Sequence, residues 1–172
     1  MRSGAAHAMR DSMMRPSWRF VLTHPAHLVA FGGGVGLIPV APGTFGTLLA
    51  FPIYWALEPW VGSLYLFAVV GALFLLGVWA CGLAGRALGV ADHGGMVWDE
   101  VVAFLLVLCF TPQWGYWQAG AFLLFRFFDI VKPPPIRHYD RTMKNGLGVM
   151  FDDLIAALYT LIVLAVAVRV VG

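Results

Sequence analysis

The chain runs to 172 residues, of which 60% are hydrophobic and only 12% charged, with a mean hydropathy of +0.82. A soluble domain of this length carries about a quarter of its residues as charges, so the composition excludes an ordinary soluble domain and predicts one compact unit in or on a membrane. The formal net charge of +2 says little by its size, no nucleic-acid partner is expected, and Cys81 and Cys109 sit inside apolar runs as small hydrophobes rather than as a disulfide framework.

Residues 1–18 read as a flexible tail carrying Arg2, Arg10 and Arg15, followed by a single membrane-embedded domain over 19–172. The stretch FVLTHPAHLVAFGGG is broken by His24, Pro25 and His27 and has no small-residue cleavage pattern, so no signal peptide is expected. IPVAPGTFGT then offers the Thr44 and Thr47 hydroxyls beside the free N–H groups of a helix start, a plausible anion pocket. No GK[ST] follows the glycines, so it is not a P-loop.

An apolar stretch at 46–57 and the turn EPWVG lead into residues 59–85, 27 residues without a charge. About 20 suffice to cross the hydrocarbon core as a helix, which makes this the clearest transmembrane segment. Residues 101–125 are also uncharged, but TPQWG in their middle predicts a helical hairpin with short arms. The run 154–168 supplies the last helix. If each hairpin crosses and returns, segments 38–46, 86–100 and 126–153 share one face. Nearly all lysines and arginines then lie there, and the positive-inside rule makes that face cytoplasmic. Arg169 is the exception, near enough to a helix end to snorkel to the far interface. The expected fold is therefore an all-α, polytopic membrane helical bundle with short helical hairpins and a polar site on its cytoplasmic face.

The acidic residues follow the same division: Asp92, Asp99, Glu100, Asp129, Asp140, Asp152 and Asp153 all fall on that face. Asp99–Glu100 and Asp152–Asp153 each precede an apolar run, where one carboxylate per pair suits a helix N-terminus as a cap. The second of each pair is unexplained. Asp129 falls at a helix end that disfavours an anion, and its simplest partner is Arg126 at i−3. Carboxylates gathered near an interface repel one another unless a cation neutralises them, and oxygen-only ligation suits Mg²⁺. Mg²⁺ commonly meets phosphate oxygens, and Arg126, Lys132, Arg137, Arg141 and Lys144 are interleaved with these acids. The prolines of KPPPIR keep that loop from helical collapse, and the glycines of NGLG offer positive-φ positions. Other phosphate chemistries are missing their motifs: Cys81 and Arg86 have the wrong spacing for a cysteine phosphatase, no DxDx[TV] stretch occurs, and no CDP-alcohol transferase signature is present. A non-catalytic transporter or assembly subunit docking a partner through this face stays open on these residues alone.

PVAPGTFGT, VWDEVV, FRFFDIVKPPPIR and NGLGVMFDDLIAA, in this order across residues 24–168, together resemble the phosphatidylglycerophosphatase A family. The resemblance implies an all-α enzyme of the bacterial inner membrane, multi-pass, with its active site facing the cytoplasm. It also implies Mg²⁺-dependent hydrolysis of the membrane lipid phosphatidylglycerophosphate to phosphatidylglycerol and phosphate. Carried onto this chain, the acidic motifs fall on Asp99, Glu100, Asp129, Asp152 and Asp153, expected as catalytic and metal-holding. Thr44, Arg126, Lys132, Arg137 and Lys144 are expected to bind the substrate phosphate. One spare carboxylate would serve as general base. Trp98 stands where the family usually has an aliphatic residue, and Ala103 where glycine is expected. Another lipid phosphate, such as phosphatidic acid, would suit the same residues.

Overall fold

A computed structural model describes residues 16–171, without the side chains of residues 63, 64 and 139–141. Arg2, Arg10 and Arg15 of the expected tail, and the side chain of Arg141, lie outside the described residues. Among those residues the structure is all helix. Helices α1 (Trp18–Leu22) and α2 (Pro25–Ala30) lead through a 3₁₀ segment (Gly32–Leu37) to α3 (Pro42–Leu57) and α4 (Ser63–Leu88). Then come α5 (Trp98–Phe110), α6 (Gly115–Val131), the short α7 (Ile136–Thr142) and α8 (Gly146–Val171). The His-Pro pair that interrupts the first apolar stretch starts α2: His24 Nδ1 accepts the Ala26 N–H at 3.0 Å, and Pro25 fills the first helical position, where no N–H is needed.

The expected hairpin over 101–125 is present as α5 and α6, turned at Thr111–Trp114. One boundary and one backbone conformation differ from the sequence reading. Helix α8 begins at Gly146, with Asn145 Oδ1 accepting the Gly148 N–H at 2.9 Å. Asp152 and Asp153 therefore lie two turns inside it and cap nothing. The NGLG glycines do not take positive φ; those that do are Gly32, Gly33, Gly34 and Gly89. Gly146 serves close approach instead, since a Cβ there would come within 2.2 Å of the Val78 carbonyl oxygen on α4. At α5 the preceding Val97 makes no side-chain cap either, and Asp99 and Glu100 occupy the first turn, where the helix dipole favours negative charge.

Helix α5 is the centre of the bundle, with Val101 to Leu105, Val107 and Leu108 all buried. Phe104 on it meets Phe51 of α3 and Phe122 and Phe125 of α6. Helix α4 runs antiparallel to α8: Gly82 lies against Gly146 and Gly77 against Met150. The unusual Trp98 has a place here. Its Nε1–H donates to the Leu73 carbonyl at 3.1 Å, in space left by Gly77, where a Cβ would be 2.8 Å from the indole. Ala103 is 2% exposed, so this position accepts a methyl group and nothing larger without repacking.

Helices α4 (from Tyr65) and α8 are each long and apolar enough to cross a membrane. Both turn large apolar side chains outward: Phe67, Leu75 and Trp79 on α4, and Leu158, Ile162 and Val166 on α8. An exposed apolar surface of this kind marks a membrane-associated protein. The N-termini of α3, α5 and α8 and the C-termini of α4 and α6 gather at one end of the bundle. The α5–α6 turn lies at the opposite end, beside the close of α3, where Gln113 Nε2 donates to the Tyr54 hydroxyl at 2.6 Å.

Candidate active site

Four helix ends meet around a set of charges that the surrounding apolar residues cannot solvate. The first turn of α5 contributes Asp99 and Glu100, α8 contributes Asp152 and Asp153, the last turns of α6 contribute Arg126 and Asp129, and Lys132 caps α6 in the left-handed region at φ 45°. Asp99, Asp152 and Asp153 are buried, and Glu100 nearly so. Each of Asp99, Glu100 and Asp153 offers a carboxylate oxygen within 4.8 Å of the other two. Asp99 Oδ1, Glu100 Oε2 and Asp153 Oδ2 are also buried without a hydrogen-bond partner.

The remaining acids are held by bases. Arg126 Nη1 lies 2.6 Å from Asp129 Oδ2, the i,i+3 pair expected from sequence, and 3.7 Å from Glu100 Oε1. The same nitrogen donates to Thr47 Oγ1 at 3.4 Å, while that hydroxyl donates to the Gly43 carbonyl at 2.9 Å. Lys132 Nζ pairs with Asp152 Oδ2. Asp152 and Asp153 project about 100° apart on α8 and meet different neighbours: Asp152 faces Lys132, and Asp153 faces Asp99 and Glu100. The hydroxyl that reaches the cluster is Thr47 and not Thr44. Arg137 is exposed on α7, and Lys144 is exposed between α7 and α8.

Two further residues border the cluster: Gly43, which the sequence reading did not single out, and Thr47, which it offered with Thr44 as part of an anion pocket. A Cβ at Gly43 would lie 2.1 Å from Glu100 Oε1 and 3.1 Å from Arg126 Nη1, so α3 can approach only because this residue lacks a side chain. The signal for both is their i, i+4 spacing, which places them on one face once a helix is started at Pro42.

Asp99 and Glu100 lie outside the two candidate membrane spans. Burial, and then the neighbouring Glu100 and Asp153 charges, push the Asp99 carboxyl well above its usual range. Glu100 is pushed up to about 7, first by burial and then by Asp129, with Asp99 and Arg126 pulling the other way. Three carboxylates with orphaned oxygens in a buried pocket are stable only if protonated or if a cation joins them. The all-oxygen donor set fits a hard divalent cation.

The fold and the site together define a class: a helical, membrane-associated protein with buried carboxylates and basic side chains gathered at one end of its bundle. The chain belongs to the phosphatidylglycerophosphatase A family, and with it to the lipid phosphate hydrolases; the family model of that description matches residues 28–168. It is 43% identical over 149 residues to phosphatidylglycerophosphatase A of Haemophilus influenzae, covering 86% of this chain and 91% of that protein. The Escherichia coli protein of the same name is 39% identical over 142 residues, 80% of each chain. A Bacteroides thetaiotaomicron protein, provisionally named a phosphatidylinositol-3-phosphatase, is 39% identical over 167 residues, covering 93% of this chain and all of that one. No solved structure gives a significant match.

Proposed function

We propose that this protein hydrolyses the terminal phosphate monoester of phosphatidylglycerophosphate, with Mg²⁺, to phosphatidylglycerol and phosphate, as a step of phospholipid biosynthesis at the cytoplasmic face of the bacterial inner membrane. The observation that carries the reading is the trio of orphaned, buried carboxylate oxygens on Asp99, Glu100 and Asp153. These three would hold the Mg²⁺, which, when bound, polarises phosphate oxygens and lowers the pKa of nearby water. Arg126 has a buried Nε–H without a partner, a donor available to a phosphate oxygen as negative charge develops there. Lys132, beside Asp152, brings a second positive charge. Asp129 lies outside the trio and faces both Glu100 and Asp153, which makes it the carboxylate left to accept the proton of the attacking water. The phosphorus–oxygen bond to the glycerol then breaks, and that oxygen leaves as an alcohol with the proton that Asp129 took from the water.

The names of the relatives favour phosphatidylglycerophosphate, and the Bacteroides relative supplies the second lipid to test. Detergent-purified protein is given phosphatidylglycerophosphate, phosphatidylinositol 3-phosphate or phosphatidic acid, with Mg²⁺ or with EDTA, and phosphate release is measured. Mg²⁺-dependent release confined to the first lipid is expected. Equal turnover of all three would overturn the substrate assignment, and turnover undiminished by EDTA would overturn the role of the trio.

A further inference from the structure

Beyond the carboxylate cluster, a cavity of about 370 Å³ opens where the end of α4 meets the start of α8. Its floor is largely backbone: Gly82 and Gly85 on α4 and Gly146 on α8 present no side chain. The charged residues lining it are both basic, Arg86 and Lys144. The Arg86 guanidinium is folded back over the floor, with Nη1 3.7 Å from where a Cβ of Gly82 would stand. Asn145 completes the wall, its Oδ1 accepting the Gly148 N–H at 2.9 Å and its amide nitrogen bringing two N–H donors. The positive end of the 26-residue α8 begins at the same spot. The carbonyls at the end of α4 do not oppose this field freely: Gly89 N–H donates to the Arg86 carbonyl and Val90 N–H to that of Gly85.

We propose that this cavity is a second phosphate site, separate from the carboxylate cluster and built on Arg86, Lys144 and the start of α8. Its ligand is a tetrahedral phosphate group, from one of two sources. One is the headgroup phosphodiester of a lipid lying against α4 and α8; the other is free orthophosphate from the surrounding water. Arg86 and Lys144 are exposed, so either source reaches the cavity from outside. The outer faces of α4 and α8 are apolar, and a neck of about 10 Å³, lined also by Asp92 and Asp152, shares Ala91 and Lys144 with the cavity. That is room for about one water. The site does not depend on the reaction assigned to the cluster, because nothing in its lining is acidic or shared with the carboxylate trio.

Equilibrium binding in neutral detergent, in EDTA and at low salt, tests it. Without a metal the carboxylate cluster repels anions, so binding under these conditions reads the basic cavity. The probes are inorganic phosphate and dihexanoyl phosphatidylglycerol. At least one is expected to bind the wild-type protein, with Arg86→Gln weakening it about tenfold or more, the scale of a lost charge-assisted hydrogen bond. Arg86→Lys keeps the charge and retains most of the binding, and Lys144→Gln weakens it in the same direction. If the phosphate probe alone responds, the ligand is free orthophosphate; if the lipid alone responds, it is a headgroup. Wild-type protein that binds neither probe, or an R86Q variant that binds as wild type does, overturns the site. Loss of phosphatidylglycerophosphate hydrolysis in the wild type would leave this result standing and would count only against the reaction.

Discussion

Gly43→Ala is the sharpest test of how α3 holds the site. The added methyl lies 2.1 Å from Glu100 Oε1, whereas ordinary contact begins at 3.4 Å, so the carboxylate must retreat by about 1.3 Å. Arg126 Nη1, at 3.1 Å from the same point, must yield by a few tenths. Gly43 has no positive φ, so alanine suits its backbone and the effect is confined to these neighbours. A displacement of about 1 Å in a positioned group costs up to roughly a hundredfold in rate, while overpacking of this size costs about 1–3 kcal/mol of stability. The expected phenotype is a folded protein whose kcat falls ten- to a hundredfold and which needs more Mg²⁺ for half-maximal rate. Gly120→Ala on α6, where a Cβ meets nothing within 4 Å, is the control, and it should be neutral or slightly stabilising. Glu100→Asp withdraws the carboxylate by one methylene and removes the collision. Adding G43A to E100D should therefore cost little more than E100D alone, a coupling that a double-mutant cycle reads directly. Phosphate release and thermal unfolding of the four proteins in detergent supply the numbers. A G43A variant within threefold of wild-type kcat, with unchanged Mg²⁺ dependence, would refute the claim that the position of Glu100 matters.

Asp99→Asn keeps the shape and removes the charge: turnover should be abolished while the unfolding temperature in EDTA stays the same or rises, and near-normal activity would remove Asp99 from the metal set. Lys132→Met removes one positive charge from the buried Asp152 carboxylate and should cost about 1–3 kcal/mol in thermal unfolding; adding Asp152→Asn should recover most of the stability but not the activity. The Glu100 carboxyl is raised from 4.5 to about 7, so the metal-free folded state binds more protons than the unfolded one. Its stability should then fall as pH climbs from about 4.5 through 7. Mg²⁺ requires the ionised carboxylates, so its stabilising shift in unfolding temperature should be larger at pH 8 than at pH 6; a shift of the same size at both would refute the assignment.

Much of the site was legible because its chemistry is concentrated in few residues. A chain with so few charges that spends two adjacent carboxylates at the brink of an apolar run marks Asp99 and Glu100 directly. The pair Arg126–Asp129 follows from helical spacing. The division of labour between Asp152 and Asp153 was not legible, because it depends on where α8 starts. Gly146 and Gly148 resemble a turn in sequence, and only the packing of α4 against Gly146 shows that they are helical. With the helix begun eight residues earlier, both acids become interior positions facing different neighbours. Which of Thr44 and Thr47 meets Arg126 was not legible for a related reason. Both hydroxyls flank a helix start, and the contact is decided by Arg126, a residue 79 positions away from Thr47.

The position of the carboxylates also answers to helix lengths. Helix α8 has 26 residues, and α5 only 13, or about 39 Å and 20 Å at 1.5 Å per residue. The short helix is too short for a hydrocarbon core of about 30 Å, and its charged end is set against the interior of the long one. From Val171 back to Asp153 is about 27 Å of α8. A membrane whose far boundary meets the end of α8 therefore brings its near boundary to the level of Asp153, with Asp99 and Glu100 beside it. A phosphate monoester on a diacyl lipid cannot leave that depth without pulling its chains from the bilayer. A site for it must be recessed to this level, within the last apolar turns, where carboxylates lose their water and the proposed Mg²⁺ would keep them charged.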